Sequence, residues 1–77
     1  MITVRFFGLL RLDSGVKAIE AEAGSIRGLY REVEIKAGIP VKTLKSCNVF
    51  INGKPKKFNQ KLRDGDQVMF LAPSCGG

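Results

Sequence analysis

The chain has 77 residues, of which 44% are apolar and 26% are charged, and its formal net charge is +6. This length allows one domain with a modest core, since a domain of this size buries roughly 60% of its unfolded surface. No apolar run approaches the ~20 residues of a membrane helix, and the lack of histidine excludes histidine acid–base catalysis and ordinary zinc sites. The first residues lack the features of a signal peptide, so we expect a cytoplasmic protein. From the two preceding observations we expect no membrane partner and no bound metal.

The positive charge is concentrated in the second part of the chain. Residues 1–35 hold five basic and five acidic side chains, whereas residues 36–77 hold eight basic and two acidic ones. This imbalance favours an acidic protein partner or nucleic acid, but a solvated lysine-rich face would have the same composition. The two cysteines, Cys47 and Cys75, do not form a disulfide framework in the cytosol.

The N-terminal part predicts two strands joined as a hairpin. Residues 2–7 alternate as in a strand with one buried face, which leaves the aromatic Phe7 on the outward face. A turn signal at residues 13–15 leads into a second strand over residues 16–22.

A helix is predicted next. Ser25 can cap it, because its hydroxyl can accept a hydrogen bond from a free amide of the first turn. Gly38 is the expected C-cap and Pro40 prevents continuation. Spacings of three and four give one apolar stripe, formed by Ile26, Leu29, Tyr30, Val33 and Ala37. Tyr30 is therefore interpreted as a core residue.

Two further strands follow. Residues 48–52 predict a strand with Phe50 facing outward, and Asn52-Gly53 marks a turn. Residues 41–47 are interpreted as a connection or a short extra turn, and residues 54–61 are polar and basic.

The last strand is predicted over residues 67–72, after a tight turn at Asp64-Gly65-Asp66. Met69 and Leu71 face outward in it. The isolated apolar residue Leu62, just before this turn, is expected to plug the core.

The order strand, strand, helix, strand, strand predicts an α+β fold. The helix can act as a crossover, so the first and last strands can lie parallel in the centre of the sheet. This is the β-grasp, or ubiquitin-like, architecture: a mixed sheet of four to five strands packed on one main helix. We assign residues 1–72 to this domain and residues 73–77 to a flexible tail that Pro73 releases from strand pairing.

The tail ends in Gly76-Gly77. Glycines give a slim segment that can thread a narrow channel and bring a free carboxylate to the catalytic groups of another protein. A carboxylate held against ATP can attack the α-phosphate and form an acyl-adenylate, from which a sulfur nucleophile can displace AMP.

Four short motifs in order resemble the MoaD/ThiS family of ubiquitin-like sulfur carriers. They are Val4-Arg5-Phe6-Phe7, Ile51-Asn52-Gly53, Leu62-x-Asp64-Gly65-Asp66-x-Val68 and Pro73-x-x-Gly76-Gly77. The length and the double phenylalanine are closer to MoaD, the small subunit of molybdopterin synthase, than to the shorter ThiS.

The resemblance implies a carrier and not an enzyme. Gly77 would be adenylated by an E1-like enzyme and converted to a thiocarboxylate that donates sulfur in molybdopterin biosynthesis, with Gly76 letting the tail thread. ATP would be used by the activating enzyme, and the carrier itself would bind no cofactor. The E1-like enzyme and a MoaE-like large subunit would dock on an outward apolar patch extended by the tail, namely Phe7, Phe50, Met69, Leu71 and Pro73. Alternatively, residues 54–61 fold over this patch through Phe58.

The chain departs from the family pattern at several positions. Ala72 precedes a single proline, Cys75 stands beside the glycines as a candidate accessory thiol, and Leu12 replaces a common acidic residue. Two alternatives therefore stay open: a carrier for thiamine thiazole or tRNA thiolation, and an RNA-binding β-grasp module that uses the basic segment 54–63. We expect one edge of the sheet to gather four lysines, Lys54, Lys56, Lys57 and Lys61, and to face an acidic protein rather than RNA.

Overall fold

The computed structural model describes residues 1–8 and 15–72 of the chain. The elements in chain order are β1 (Ile2–Phe7), β2 (Ala18–Ala21), α1 (Ile26–Ala37), α2 (Val41–Lys45), β3 (Asn48–Ile51), β4 (Lys54–Pro55) and β5 (Gln67–Leu71). In this described part, no helix has the length and apolar character needed to cross a membrane. The predicted tail, residues 73–77, lies outside the described residues, so the proposed boundary at residue 72 stays a prediction.

Within the described ranges, five strands form one mixed sheet in the order β2-β1-β5-β3-β4. The first and last strands are parallel neighbours, with Val4 beside Val68 and Phe6 beside Phe70. β2 and β3 flank this central pair in antiparallel orientation, and the two-residue β4 forms one edge. The predicted β-grasp fold, α+β with a mixed sheet on one main helix, is confirmed.

The core lies between α1 and one face of the sheet. Phe6 and Phe70 are almost fully buried, with ring centroids 5.8 Å apart. Tyr30 of α1 packs on Phe70, with ring centroids 6.0 Å apart, and is buried. The prediction that Tyr30 is a core residue is therefore confirmed. Burial, and secondarily the nearby Cys47, raise the pKa of the Tyr30 hydroxyl. This side chain therefore stays neutral and serves packing.

Both predicted caps of α1 are confirmed. Ser25 is extended at φ −153°, and its hydroxyl accepts a hydrogen bond from the Gly28 amide at 3.3 Å. Gly38 adopts a left-handed conformation at φ 71°, and its amide donates to the Glu34 carbonyl at 3.0 Å. The chain can therefore turn sharply into the next segment, where α2 buries Leu44.

One flank of α1 is tied to β2 by charged groups. The Glu32 carboxylate accepts hydrogen bonds from the Glu22 amide at 3.0 and 3.2 Å and pairs with Lys36 at 2.8 Å. The Lys36 ammonium also donates to the Glu20 carbonyl at 2.7 Å. The hydrogen bond from Lys36 is the main reason why the pKa of Glu32 lies below its usual range.

Polar contacts at two turns fix the start of β5. Asn52 and Gly53 have positive φ values of 52° and 82°, as the predicted hairpin turn requires. The Asp66 carboxylate accepts hydrogen bonds from the Arg63 amide at 2.8 Å and the Asn52 side-chain amide at 3.0 Å. These hydrogen bonds, the Arg63 amide first, lower the pKa of Asp66. Leu62 is buried as predicted.

Candidate functional site: the open face of the sheet

The face of the sheet opposite α1 carries the four predicted docking residues in two rows. Phe7 lies beside Leu71 on the parallel pair β1 and β5. Two residues earlier along β5, Met69 lies beside Phe50 of β3, with Arg5 on its other side. Since side chains two residues apart on a strand share a face, the register brings the four apolar groups together.

These four residues, Phe7, Phe50, Met69 and Leu71, form what we call the apolar patch. Three of them are half-buried and Leu71 is 39% exposed. In the described part of the chain, no helix covers this face. A contiguous exposed apolar surface of this kind usually marks a binding site.

Polar side chains surround the apolar patch. Asn48 lies beside Leu71 on β3, and Arg5 lies beside Met69 on β1; both are exposed. Thr3 and Gln67 pair at the opposite end of the same face. An apolar centre with a polar rim is the usual composition of a protein–protein interface.

The apolar patch adjoins the point where the chain leaves the sheet. Leu71 is the last residue of β5, and Ala72 after it is half-buried against the core. A Cβ added at Gly8, which has a positive φ of 69°, would lie 3.8 Å from the Leu71 side chain and 3.9 Å from the Ala72 carbonyl. The positive φ therefore favours glycine at this exit, where an added Cβ would make only ordinary van der Waals contacts.

The other predicted site residues lie beyond this exit. Pro73, Cys75, Gly76 and Gly77 are outside the described residues. Their roles as docking residue, accessory thiol, threading glycine and reactive carboxylate remain predictions.

The expectation that residues 54–61 could cover the apolar patch through Phe58 is wrong. Phe58 is 96% exposed and lies on the helix side, in a groove that Tyr30 and Ile35 also line. The segment is directed there by its ends, since the Lys56 amide donates to the Val49 carbonyl and Lys61 forms a bridge with Ser25.

The four lysines of this segment do not share one edge of the sheet. Lys54 lies in the edge strand β4, and Lys56 continues along β3 but lines the helix-side groove. Lys61 pairs with Ser25 at the start of α1, so it is separated from the sheet edge. The predicted single basic edge is therefore wrong, because the segment crosses from the sheet to the helix.

Sequence reasoning missed the helix-side groove. Its lining includes Arg27, Arg31 and the 83% exposed Ile35 of α1. Ile35 falls outside the apolar stripe of the helix, and an isoleucine on the polar face of a helix was the available signal.

In the described ranges, Cys47 is not placed as a reactive thiol, and the acidic side chains form no metal centre. Cys47 is buried, its thiol donates to the Thr43 carbonyl at 3.3 Å, and burial raises its pKa. It is therefore an inert packing residue. Across residues 1–8 and 15–72, no three acidic or cysteine side chains are grouped so that they could hold a metal ion.

The fold and the open face define a ubiquitin-like protein of the β-grasp class. The sequence profile of the ThiS family matches residues 4–77, and the chain belongs to this family. The family comprises ubiquitin-like sulfur carriers of the ThiS/MoaD type, which are small carrier proteins and not catalysts.

Several solved structures resemble this chain. A chain of the complex of subunits 1 and 2 of the molybdopterin-converting factor from Helicobacter pylori 26695 is 28% identical, with a TM-score of 0.73, and the match covers 99% of this chain and 97% of that one. The Amycolatopsis orientalis BexX/CysO complex contains a chain with 24% identity and a TM-score of 0.77 over 100% of both chains. SAMP1 from Haloferax volcanii has 13% identity and a TM-score of 0.81, covering 99% and 98%. The last two share the fold alone, and no curated protein sequence matches the chain.

Proposed function

We propose that this protein carries sulfur as a thiocarboxylate on Gly77 and donates it in the biosynthesis of molybdopterin. The observation that carries the proposal is the family match through residue 77, which includes the two terminal glycines. The position of the apolar patch at the end of β5 adds support, because a partner bound there would lie beside the start of the tail.

The chemistry needs only the terminal carboxylate from this chain. An oxygen of the Gly77 carboxylate attacks the α-phosphate of ATP, pyrophosphate leaves, and an acyl-adenylate forms. Hydrosulfide, a sulfur nucleophile at the sulfide level, then attacks the carbonyl carbon; AMP leaves with one carboxylate oxygen and a proton is lost, so sulfur replaces that oxygen. The catalytic groups and the ATP site belong to an E1-like adenylating enzyme, while Gly76 keeps the tail narrow enough to enter its channel.

The apolar patch would dock the E1-like enzyme and, in turn, a MoaE-like large subunit that accepts the sulfur. The 28% identical chain in the Helicobacter pylori complex of subunits 1 and 2 supports such a pairing. Successive use of one patch makes the two partners mutually exclusive, so the carrier leaves the first before it binds the second.

Intact-mass measurement tests the assignment to Gly77. Incubation with a cognate E1-like enzyme, ATP and a sulfur donor should change the mass by one oxygen-to-sulfur exchange. Deleting Gly77, or adding one alanine after it, should abolish the exchange while the circular dichroism of the fold is unchanged.

Cys75→Ser is the matched control for the tail. It keeps the length and the two glycines, so sulfur loading should continue if Cys75 is only a tolerated small residue. Loading that persists in the protein without Gly77 would contradict the proposal.

The identity of the sulfur acceptor distinguishes the molybdopterin pathway from the thiazole and tRNA pathways. The thiocarboxylate should lose its sulfur to a complex with a MoaE-like large subunit and not to a thiazole synthase or a tRNA-thiolating enzyme. Transfer to either of the latter would keep the carrier chemistry and reassign its pathway.

A further inference from the structure

A second surface lies on the helix side of the sheet and shares no residue with the apolar patch. It is an open groove of about 940 Å³ between α1, α2 and residues 56–59. The residues that set its chemistry are Arg27, Arg31, Ile35, Lys45, Lys56 and Phe58. Since α1 covers the opposite face of the sheet from the apolar patch, both surfaces can be occupied at once.

The groove is strongly basic. Among the described residues, four cations line it and Glu34 is the only acidic one. The Glu34 carboxylate accepts a hydrogen bond from the Val41 amide at 3.1 Å, so it caps α2, whose N-cap Pro40 offers no side-chain acceptor. The single anion of the groove thus already has a structural partner.

The groove cations differ from the lysine on the other flank of α1, which forms an ion pair with a carboxylate. There, Lys36 pairs with Glu32 at 2.8 Å. For the groove cations, no carboxylate of residues 1–8 or 15–72 lies within salt-bridge distance. Arg27 and Arg31 are also one helical turn apart, an arrangement of like charges that opposes helix stability. Their placement is better explained by an external anion than by the fold.

Two apolar side chains beside these charges are largely exposed to solvent. Ile35 is 83% exposed and Phe58 is 96% exposed. Neither can contribute much to the stability of the isolated domain at such exposure. Together with the cations they form a surface that would receive an apolar side chain flanked by carboxylates.

We propose that this groove binds an acidic segment of a second protein, with an apolar anchor between Ile35 and Phe58 and carboxylates beside the four cations. Single-stranded nucleic acid is the less suitable occupant, because stacking needs several aromatic rings and Phe58 is the only largely exposed aromatic among residues 1–8 and 15–72. The proposal goes beyond sulfur transfer, since it gives the carrier a second contact that leaves the apolar patch free.

Fluorescence anisotropy with a defined probe tests the proposal. The probe is a fluorescein-labelled synthetic peptide of glutamates around a central Leu-Phe pair, used with the full chain at low salt. Lys45→Glu should weaken binding about fivefold or more, because it reverses a charge in the groove. Lys42→Glu is the matched control: it makes the same charge change on the same short helix, outside the groove lining, and should have little effect.

The apolar half of the site needs its own variants. Ile35→Ser and Phe58→Ser should each weaken peptide binding several-fold, and this loss should persist at high salt, where charge effects are screened. Leu71→Asp should leave binding of the peptide unchanged, as should deletion of Gly77. These last two variants separate a failure of the groove from a failure of the proposed sulfur chemistry.

Three results would overturn the proposal. Equal losses in Lys42→Glu and Lys45→Glu would show unspecific charge attraction. Loss of peptide binding in Leu71→Asp would place the peptide on the apolar patch. Tighter binding of a single-stranded oligouridylate than of the peptide, abolished by Phe58→Ala, would assign the groove to nucleic acid.

Discussion

The apolar patch and the helix-side groove expose apolar side chains in different ways. In the apolar patch, strand register packs the four residues side by side, and three of them are half-buried before any partner arrives. In the groove, Ile35 and Phe58 are almost fully exposed and are surrounded by cations. The apolar patch is preorganised by the sheet, whereas the groove has separate anchors on a helix and a loop.

This difference predicts two modes of binding. A preorganised apolar surface loses little conformational freedom on binding, so its complexes should depend weakly on salt. A basic groove with exposed anchors should gain association rate from charge and lose it when salt is added. The first mode suits a reacting complex and the second suits a transient contact.

The largest effect is expected beneath the apolar patch. Phe70→Ala should lower the free energy of unfolding by about 3–5 kcal/mol, because it removes a buried ring that contacts Phe6 and Tyr30. Met69→Ala, at the next residue on the open face, should cost about 1 kcal/mol. Urea unfolding measures both, and similar losses would show that the open face is part of the core.

The next largest effect concerns partner binding. Leu71→Asp should weaken binding to the activating enzyme and to the acceptor subunit more than about tenfold, since buried anchors are often worth ~2 kcal/mol. Its melting temperature should change little, as Leu71 is 39% exposed. Gln67→Asp is the matched control on the same face of β5, away from the apolar patch. Intact binding with a large loss of stability in Leu71→Asp would contradict the assignment.

Acidic pH should lower the stability of the fold, because the pKa values of two carboxyl groups are lowered in the folded state. The pKa values of Asp66 and Glu32 are lowered by hydrogen bonds, from the Arg63 amide and Lys36 respectively. A carboxyl with a depressed folded-state pKa stabilises the fold above its unfolded pKa, and this contribution is lost as pH falls through the folded value.

Asp66→Asn and Glu32→Gln should therefore flatten the fall of stability below the usual carboxyl pKa. Thermal melts between neutral and strongly acidic pH measure this slope. Glu20→Gln, which removes an exposed carboxylate from β2, is the control. A steeper acid loss in either variant would show that these hydrogen bonds do not act in this direction.

The smallest effect is expected from the lysines of residues 54–61. Neutralising Lys54, Lys56, Lys57 and Lys61 should slow association with the activating enzyme a few-fold at low salt and matter little at high salt. Stopped-flow association rates provide the measurement, and Lys42→Gln is a single-charge control. Tight, saturable binding of a defined tRNA by the domain, lost on Phe58→Ala, would instead favour an RNA-binding module.

The sequence contained enough information for the features that depend on local geometry. Alternation in β1 and β5 predicted that Phe7 and Leu71 share the open face, and the register confirms it. The caps at Ser25 and Gly38 depend on single residues with known conformational preferences, so they too were predictable.

The remaining features depend on the path of the chain between elements. No local sequence feature of residues 54–61 predicts that this segment crosses to α1, where Lys61 forms a bridge with Ser25. The groove could not be assembled from the sequence for the same reason, since Phe58, Lys45 and Ile35 meet only after that crossing. The short helix α2 could not be distinguished from a simple connection, because its cap comes from Glu34 and not from a neighbouring residue.

The central position of β5 has a mechanical consequence. A partner that grips the chain beyond Ala72 pulls along the axis of a strand hydrogen-bonded to β1 on one side and β3 on the other. Such a pull loads both ladders in shear, so many hydrogen bonds resist together instead of opening one after another as at an edge strand. The domain can thus be held by its end, and its fold remains intact while a partner pulls on the chain beyond Ala72.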